Sequence, residues 1–225
     1  MRNVELGMKK FLSILAVMII MSTTSYAARS EISFIEIGSS GNNELPLITA
    51  LLRRQTDRDF VDKDLTDIQL AKILWAANGT NRFNGKRVNP AALGVYSVEV
   101  YAVTREGIYL YEPENYKLKL IAEGDYRATT TTGQDFVKNA GLNLVYVETP
   151  DAWQNSKHRI PSREAQLSFA NIAVGSMIQS VALIAQTEGL GNCVRGSINR
   201  DEFKKVAKLS DAKTILLAQS VGFIK

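Results

Sequence analysis

The chain has 225 residues, 45% hydrophobic and 22% charged, a balance that fits a globular domain with a sizeable core and argues against disorder. Its formal charge of +4 lies partly in the first 27 residues, where Arg2, Lys9 and Lys10 face only Glu5. The remainder carries 24 basic and 22 acidic side chains, a net +2 too weak for a nucleic-acid footprint.

Residues 1–27 have the three parts of a secretory signal. Lys9 and Lys10 precede the apolar run "FLSILAVMIIM", and "STTSYA" supplies small residues before a cut after Ala27. The run is shorter than the roughly 20 residues that span a bilayer. No cysteine follows it and no Arg-Arg pair precedes it, so residues 28–225 are expected to leave the cytoplasm unfolded and without a lipid anchor or membrane span.

Beyond the leader, "EISFIEI" predicts an edge strand or packed arm, ended by "GSSGNN". "ELPLITALLRR" places Leu45, Ile48, Leu51 and Leu52 at helical spacing with basic residues at the C-terminal end. In "LTDIQLAKILWAAN", Thr66 and Gln69 form a capping-box pattern, Ile68, Leu70, Ile73 and Leu74 recur as in a helix, and Asn78-Gly79 stops it. "YSVEVYAVT" and "IYLYE" around the turn "EG" predict a hairpin, with "NYKLKLIA" as a short extension. "GQDFVKNAG" reads as a short helix and "LNLVYVET" as a central, buried strand.

From Arg163 to Glu188 the sequence predicts one long helix, apolar all round and therefore buried, in part against another subunit. "NCVRGS" reads as a loop or short strand, "RDEFKKVAKL" as a surface helix and "TILLAQSVGF" as a final central strand. Without repeats or low-complexity linkers, residues 28–225 are expected to form one α+β domain.

The one histidine, His158, lies in the polar stretch "NSKHRIPS" with no nucleophile motif, and with one cysteine, Cys193, it leaves no zinc constellation. There is no G-x-G-x-x-G after a strand and no phosphate-cradling Walker pattern, so neither nucleotide site of that kind is indicated. The cluster Arg53, Arg54, Arg58 is more informative, because a guanidinium fork binds a phosphate dianion bidentately.

Taken in order, "RQTDRDF", "LTDIQLAKILWAANGTNR", "RVNPAALGVYSVEVY", "GIYLYEPENYKLKLI", "GQDFVKNAGLNLVYV", "TEGLGNCVRG" and "ILLAQSVGF" resemble the nitroreductase family of FMN flavoproteins, closest to its branch related to azoline-oxidising dehydrogenases. The resemblance implies a central, mostly antiparallel sheet flanked by helices, in a domain-embracing homodimer. It implies that Arg54, Gln55, Thr56 and Arg58, with Phe60, clamp the phosphate and ribityl end of FMN; Gln55 replaces a usual Arg or His, and Arg53 lies outside the motif. Pro90, Ala91 and Ala92 would line the isoalloxazine, with Gly94 to Tyr96 nearby or reaching the partner's flavin. Ala91 stands where Ser is common and Ser97 where Pro is common. Gln134 matches an amide that pairs with the flavin's pyrimidine edge, and the backbone N–H of Arg195 or Gly196 would reach N5. Cys193 reads as packing, and only Lys225 could add a C-terminal cation.

The implied chemistry is ping-pong electron transfer through FMN, usually from NAD(P)H, to or from a small nitroaromatic, quinone, enone or heterocycle. Specificity would sit on loops around residues 78–89 and 150–163. Export points instead to a donor other than free NAD(P)H. Two other readings stay open: a flavin-binding module without turnover, favoured by Gln55, Ala91 and the short C-terminus, and an exported interaction protein with an empty pocket.

Overall fold

The computed structural model describes residues 27–33, 45–158 and 162–225. The proposed signal, the second half of "EISFIEI" and the "GSSGNN" break lie outside the described residues. In chain order the elements are β1 (Glu31–Ser33), α1 (Leu47–Arg53), α2 (Asp67–Asn78), β2 (Val98–Val103), β3 (Gly107–Glu112), β4 (Lys117–Glu123), β5 (Leu142–Glu148), α3 (Asp151–Gln154), α4 (Arg163–Thr187), β6 (Gly191–Arg195), α5 (Arg200–Val206) and β7 (Thr214–Gly222). The strands form one sheet in the order β1-β4-β3-β2-β5-β7-β6, and every neighbouring pair is antiparallel.

Period-two alternation divides the sheet between two cores. On one face Val98, Val100 and Ala102 of β2 with Leu142, Leu144 and Tyr146 of β5 pack against α2 and α4. On the other, Tyr101, Val103, Val145 and Val147 pack with Ile198, Phe203 and Ala207. All seven residues of β5 are buried, the central position its apolar run predicts. The expected hairpin is β2–β3, with Tyr101 opposite Leu110.

One expectation changes, and one pair of alternatives is resolved as a strand. "NYKLKLIA" is a full strand, β4, with only Leu118 buried, so its exposed, lysine-bearing positions hide the strand signal. "NCVRGS" opens with an edge strand, β6, paired to β7 with Cys193 opposite Ser220 and Arg195 opposite Ala218. α2 begins as predicted: the Thr66 hydroxyl accepts from Gln69 N–H at 3.2 Å, and the Gln69 side chain accepts from Thr66 N–H at 3.1 Å.

The apolar helices are less covered than their sequences suggest. α4 buries one stripe, including Ala173, Val174, Met177 and Val181, against the sheet and α2, but leaves Ile172 66% exposed. It is long and apolar enough to cross a membrane, and here it lies on the core. α1 buries only Ala50, and Leu52 is 81% exposed.

Thr66→Ala removes the side-chain half of the capping box and is expected to destabilise the protein by about 1 kcal/mol in urea unfolding. An unchanged midpoint would contradict the cap's role.

Candidate functional site

Past α1 the chain runs extended along the outer edge of β6. Arg54 closes the helix through its N–H to Ala50 O at 2.9 Å. Asp57 N–H then donates to Asn192 O at 2.9 Å, and Asn192 N–H returns to Asp57 Oδ2 at 3.4 Å. The Asn192 side chain donates to Gln55 O at 3.3 Å. Phe60 is buried with Ala140, Cys193 and Phe136, its ring centroid 6.1 Å from that of Phe136. The C-terminal segment covers the far side: Val61 N–H donates to Phe223 O, and Lys225 N–H to Asp59 O at 3.1 Å.

This docking requires glycine at position 191. A Cβ there would lie 2.2 Å from Ile224 Cγ2 and 2.8 Å from Asp57 Cβ.

Among the described residues no carboxylate lies within ion-pair distance of Arg53, Arg54 or Arg58. Arg54 is half-buried, and Gln55, Thr56 and Arg58 are exposed. One of the two Gln55 Nε2 hydrogens donates to Asp57 Oδ1 at 2.9 Å, which leaves the other as a donor. With Asn192 N–H on the other oxygen, the Asp57 carboxylate is held within the segment. Burial pushes the Cys193 thiol up, although the nearby Arg58 and Arg195 charges oppose it, so Cys193 packs as the sequence suggests.

At the C-terminal end of β6 a second segment joins. Thr131 to Gln134 lies between two short 3-10 helices, Arg127–Thr130 and Asp135–Lys138. The Arg195 guanidinium, 3% exposed, donates from Nη1 to Thr130 O at 2.5 Å and from Nη2 to Thr130 Oγ1 at 3.2 Å. Thr132 Oγ1 and Ser197 Oγ share a hydrogen bond of 2.5 Å. Gln134 N–H donates to Thr131 Oγ1 at 3.2 Å, but the side-chain Oε1 of Gln134 is buried with no partner. Such an orphan is costly unless something else donates to it.

The ladder also separates the two backbone donors proposed from the sequence. Asn192 turns its N–H and C=O outward to Asp57, so alternation turns those of Arg195 inward to β7. Gly196, one residue beyond β6, continues the outward phase, and a Cβ there would meet nothing within 4 Å. The backbone N–H of Arg195 is thus committed to the ladder, and among the described residues no backbone partner accepts from Gly196 N–H.

The segment from Pro90 to Tyr96 is anchored elsewhere. Asn89 Nδ2 donates to Ala76 O and Ala77 O at the end of α2, and its Oδ1 accepts from Ser180 of α4 at 2.6 Å. Leu93 takes φ of 56° in a short helix, Ala92–Gly94. No hydrogen bond or ion pair among the described residues joins Pro90, Ala91, Ala92 or Gly94 to the arginine segment or to Gln134. Gly94 and Tyr96 instead line a cavity of about 310 Å³ with Asn155, Lys157 and His158. Its second wall is fixed by Glu148, fully buried, which accepts from Trp153 Nε1 at 3.0 Å and from the Arg163 fork.

The fold is thus an α+β antiparallel sheet whose β6 holds, at its start, the segment of Arg54 and Arg58 and, at its end, the turn of Gln134. Residues 51–223 match the nitroreductase family, and the chain belongs to it. A protein of Methanocaldococcus jannaschii described as a candidate nitroreductase is 26% identical over 81% of this chain and 94% of its own. A nitroreductase-family crystal structure from Ralstonia eutropha is 30% identical, with TM-score 0.78 over 91% of this chain and 92% of that one. The fold also resembles a chain of the Escherichia coli microcin synthetase complex McbBCD (19% identity, TM-score 0.64, 86% of this chain and 78% of that one). It resembles a Desulfovibrio desulfuricans family member in complex with FMN (16%, TM-score 0.57, 80% and 87%).

Gly191→Ala forces a Cβ into Ile224 and Asp57 and is expected to lower stability by about 1–3 kcal/mol. Thermal unfolding measures it, and a wild-type Tm would contradict the close docking.

Proposed function

We propose that this nitroreductase-family chain is an exported FMN-dependent oxidoreductase whose flavin lies along the outer edge of β6. The observation that carries the reading is the buried Oε1 of Gln134, partnerless among the described residues, in the turn tied to the C-terminal end of β6, while the start of β6 docks the segment of Arg54 and Arg58, which have no ion-pair partner among the described residues. An acceptor and a cationic clamp at two ends of one seam suit a ligand with an imide N–H at one end and a phosphate at the other.

Arg54 and Arg58 bind the phosphate, and the Thr56 hydroxyl adds a neutral donor. Gln55 keeps the Asp57 carboxylate on its own segment, which limits its repulsion of the phosphate. Gln134 Oε1 accepts from the pyrimidine edge, and Gly196 N–H is the donor available to N5. FMN, when bound, supplies two-electron transfer between a donor and a small organic substrate, in alternation. The protein's part is binding, orientation and the exclusion of water.

A homodimer is supported by the uncovered apolar faces of α1 and of α4 at Ile172. In such a dimer the Pro90–Tyr96 segment, which does not bond to its own chain's arginine segment, serves the partner's flavin. The cavity between Gly94–Tyr96 and Asn155–His158 is the proposed seat of specificity for a nitroaromatic, quinone, enone or heterocycle. Export rests on Lys9-Lys10, the apolar run and the small residues up to Ala27. It favours a donor other than free NAD(P)H. A flavin-binding module without turnover is the second reading, favoured by the neutral Gln55, which bonds to Asp57, where a cation is usual, and by Ala91 where Ser is common.

The purified protein is expected to be yellow or to bind added FMN. Arg54→Ala and Arg58→Ala should each weaken that binding about tenfold or more, since a charge-assisted hydrogen bond contributes about 1.5–3 kcal/mol. Fluorescence titration with FMN measures this, and wild-type affinity in both variants would overturn the phosphate clamp. Anaerobic bleaching by a reductant, followed by recovery on adding a quinone, would separate the oxidoreductase from the module without turnover.

A further inference from the structure

Among the described residues Arg195 is a buried cation without a counter-ion. Its side chain is enclosed by β5, β6, β7 and the Thr130 turn, yet every partner is neutral. Nε donates to Ser220 Oγ at 3.0 Å, Nη1 to Thr130 O, and Nη2 to Thr130 Oγ1 and Asn143 Oδ1 at 3.2 and 3.1 Å. Among the described residues no carboxylate lies within ion-pair distance of it. Burial pushes its pKa down, but only to about 10, so it stays charged at neutral pH.

Removing a guanidinium from water costs several kcal/mol, and folded proteins normally pair such a charge. Other buried charges here follow that rule: Glu148 is paired with Arg163, and Arg127 with Asp125 and Asp62. Nor is Arg195 needed merely to fill space, since a neutral side chain would avoid the desolvation. Its Thr130 contacts lie four residues before Gln134, and the following residue is the open Gly196. The unpaired charge therefore stands behind the seam assigned to FMN, linked to both the Gln134 turn and the Gly196 donor.

We infer that Arg195 is a positioning residue that also supplies a fixed positive charge, favouring the reduced, anionic state of a flavin bound against Gln134 and Gly196. The inference rests on the FMN reading. A flavin held there would take up two electrons and one proton on reduction instead of two, because a fixed positive charge nearby would favour the singly protonated, anionic form, and Arg195 would supply that charge through its hold on the Thr130 turn. The electrons come from the donor or, in the test, from dithionite. Among the described residues no titratable group faces Arg195 except Cys193 on its own strand; β5 and β7 present Asn143 and Ser220, and the turn presents Thr130.

The test is a dithionite titration of the FMN-loaded protein against a reference dye, on wild type, Arg195→Lys and Arg195→Met. The lysine variant keeps the charge but loses the fork. It should bind oxidised and reduced FMN more weakly by similar factors, leaving the midpoint potential near that of wild type. The methionine variant should weaken reduced FMN at least tenfold more than oxidised FMN, which for a two-electron couple lowers the potential by about 30 mV. An unchanged potential in a folded Arg195→Met protein would overturn the inference. Should that variant not fold, proton uptake by wild type decides. One proton per two electrons at mildly acidic pH, where free reduced flavin takes up two, supports the fixed charge, and two protons overturn it. Wild-type protein that binds no FMN would sink the parent reading and this inference together.

Discussion

The site depends on the free edge of β6. An edge strand offers unpaired N–H and C=O groups that fold or ligand must satisfy. Here Asn192 satisfies one such pair with Asp57, and that reciprocal contact carries the arginine segment from the end of α1 to the sheet. Phe60 then locks the segment into a small apolar cluster, and the C-terminal residues close over it. Two residues further along the same edge Val194 is partly exposed, and beyond it Gly196 is open. One edge thus serves structure at its start and is left available at its end.

That division explains the placement of charge. Arg54 is half-buried and Arg58 exposed, so a cation without an ion-pair partner among the described residues costs little there, which suits the proposed phosphate. Asp57, which would compete with that anion, is held by Gln55 and Asn192. Arg195 is the opposite case, a buried cation tolerated because the Thr130 turn, Asn143 and Ser220 give it four neutral acceptor contacts.

Much of the fold was legible because its signals are local. The Thr66–Gln69 capping box and the alternation of β2 and β3 each follow from short-range pattern, and the structure bears them out. β5 was legible from an unbroken apolar run. β6 was ambiguous, since Asn192, Cys193 and Arg195 turn polar or small side chains inward, against the usual strand composition. The uncovered face of α1 was also missed: helical spacing predicts a stripe, but not what lies against it. At the site, Arg54, Arg58 and Gln134 were singled out through the order of family-like segments. The roles of Asn192, Asp57 and the Arg195 side chain were not, because they arise from contacts between distant segments. A polar residue in a short apolar strand is the signal that could have flagged them.

Hydrogen–deuterium exchange of the purified protein with and without FMN tests the placement of the flavin most directly. The account predicts added protection confined to three stretches of one chain, residues 54–60, 130–136 and 194–197, with any further protection in residues 90–96. FMN that binds while leaving the first three stretches unchanged would contradict it.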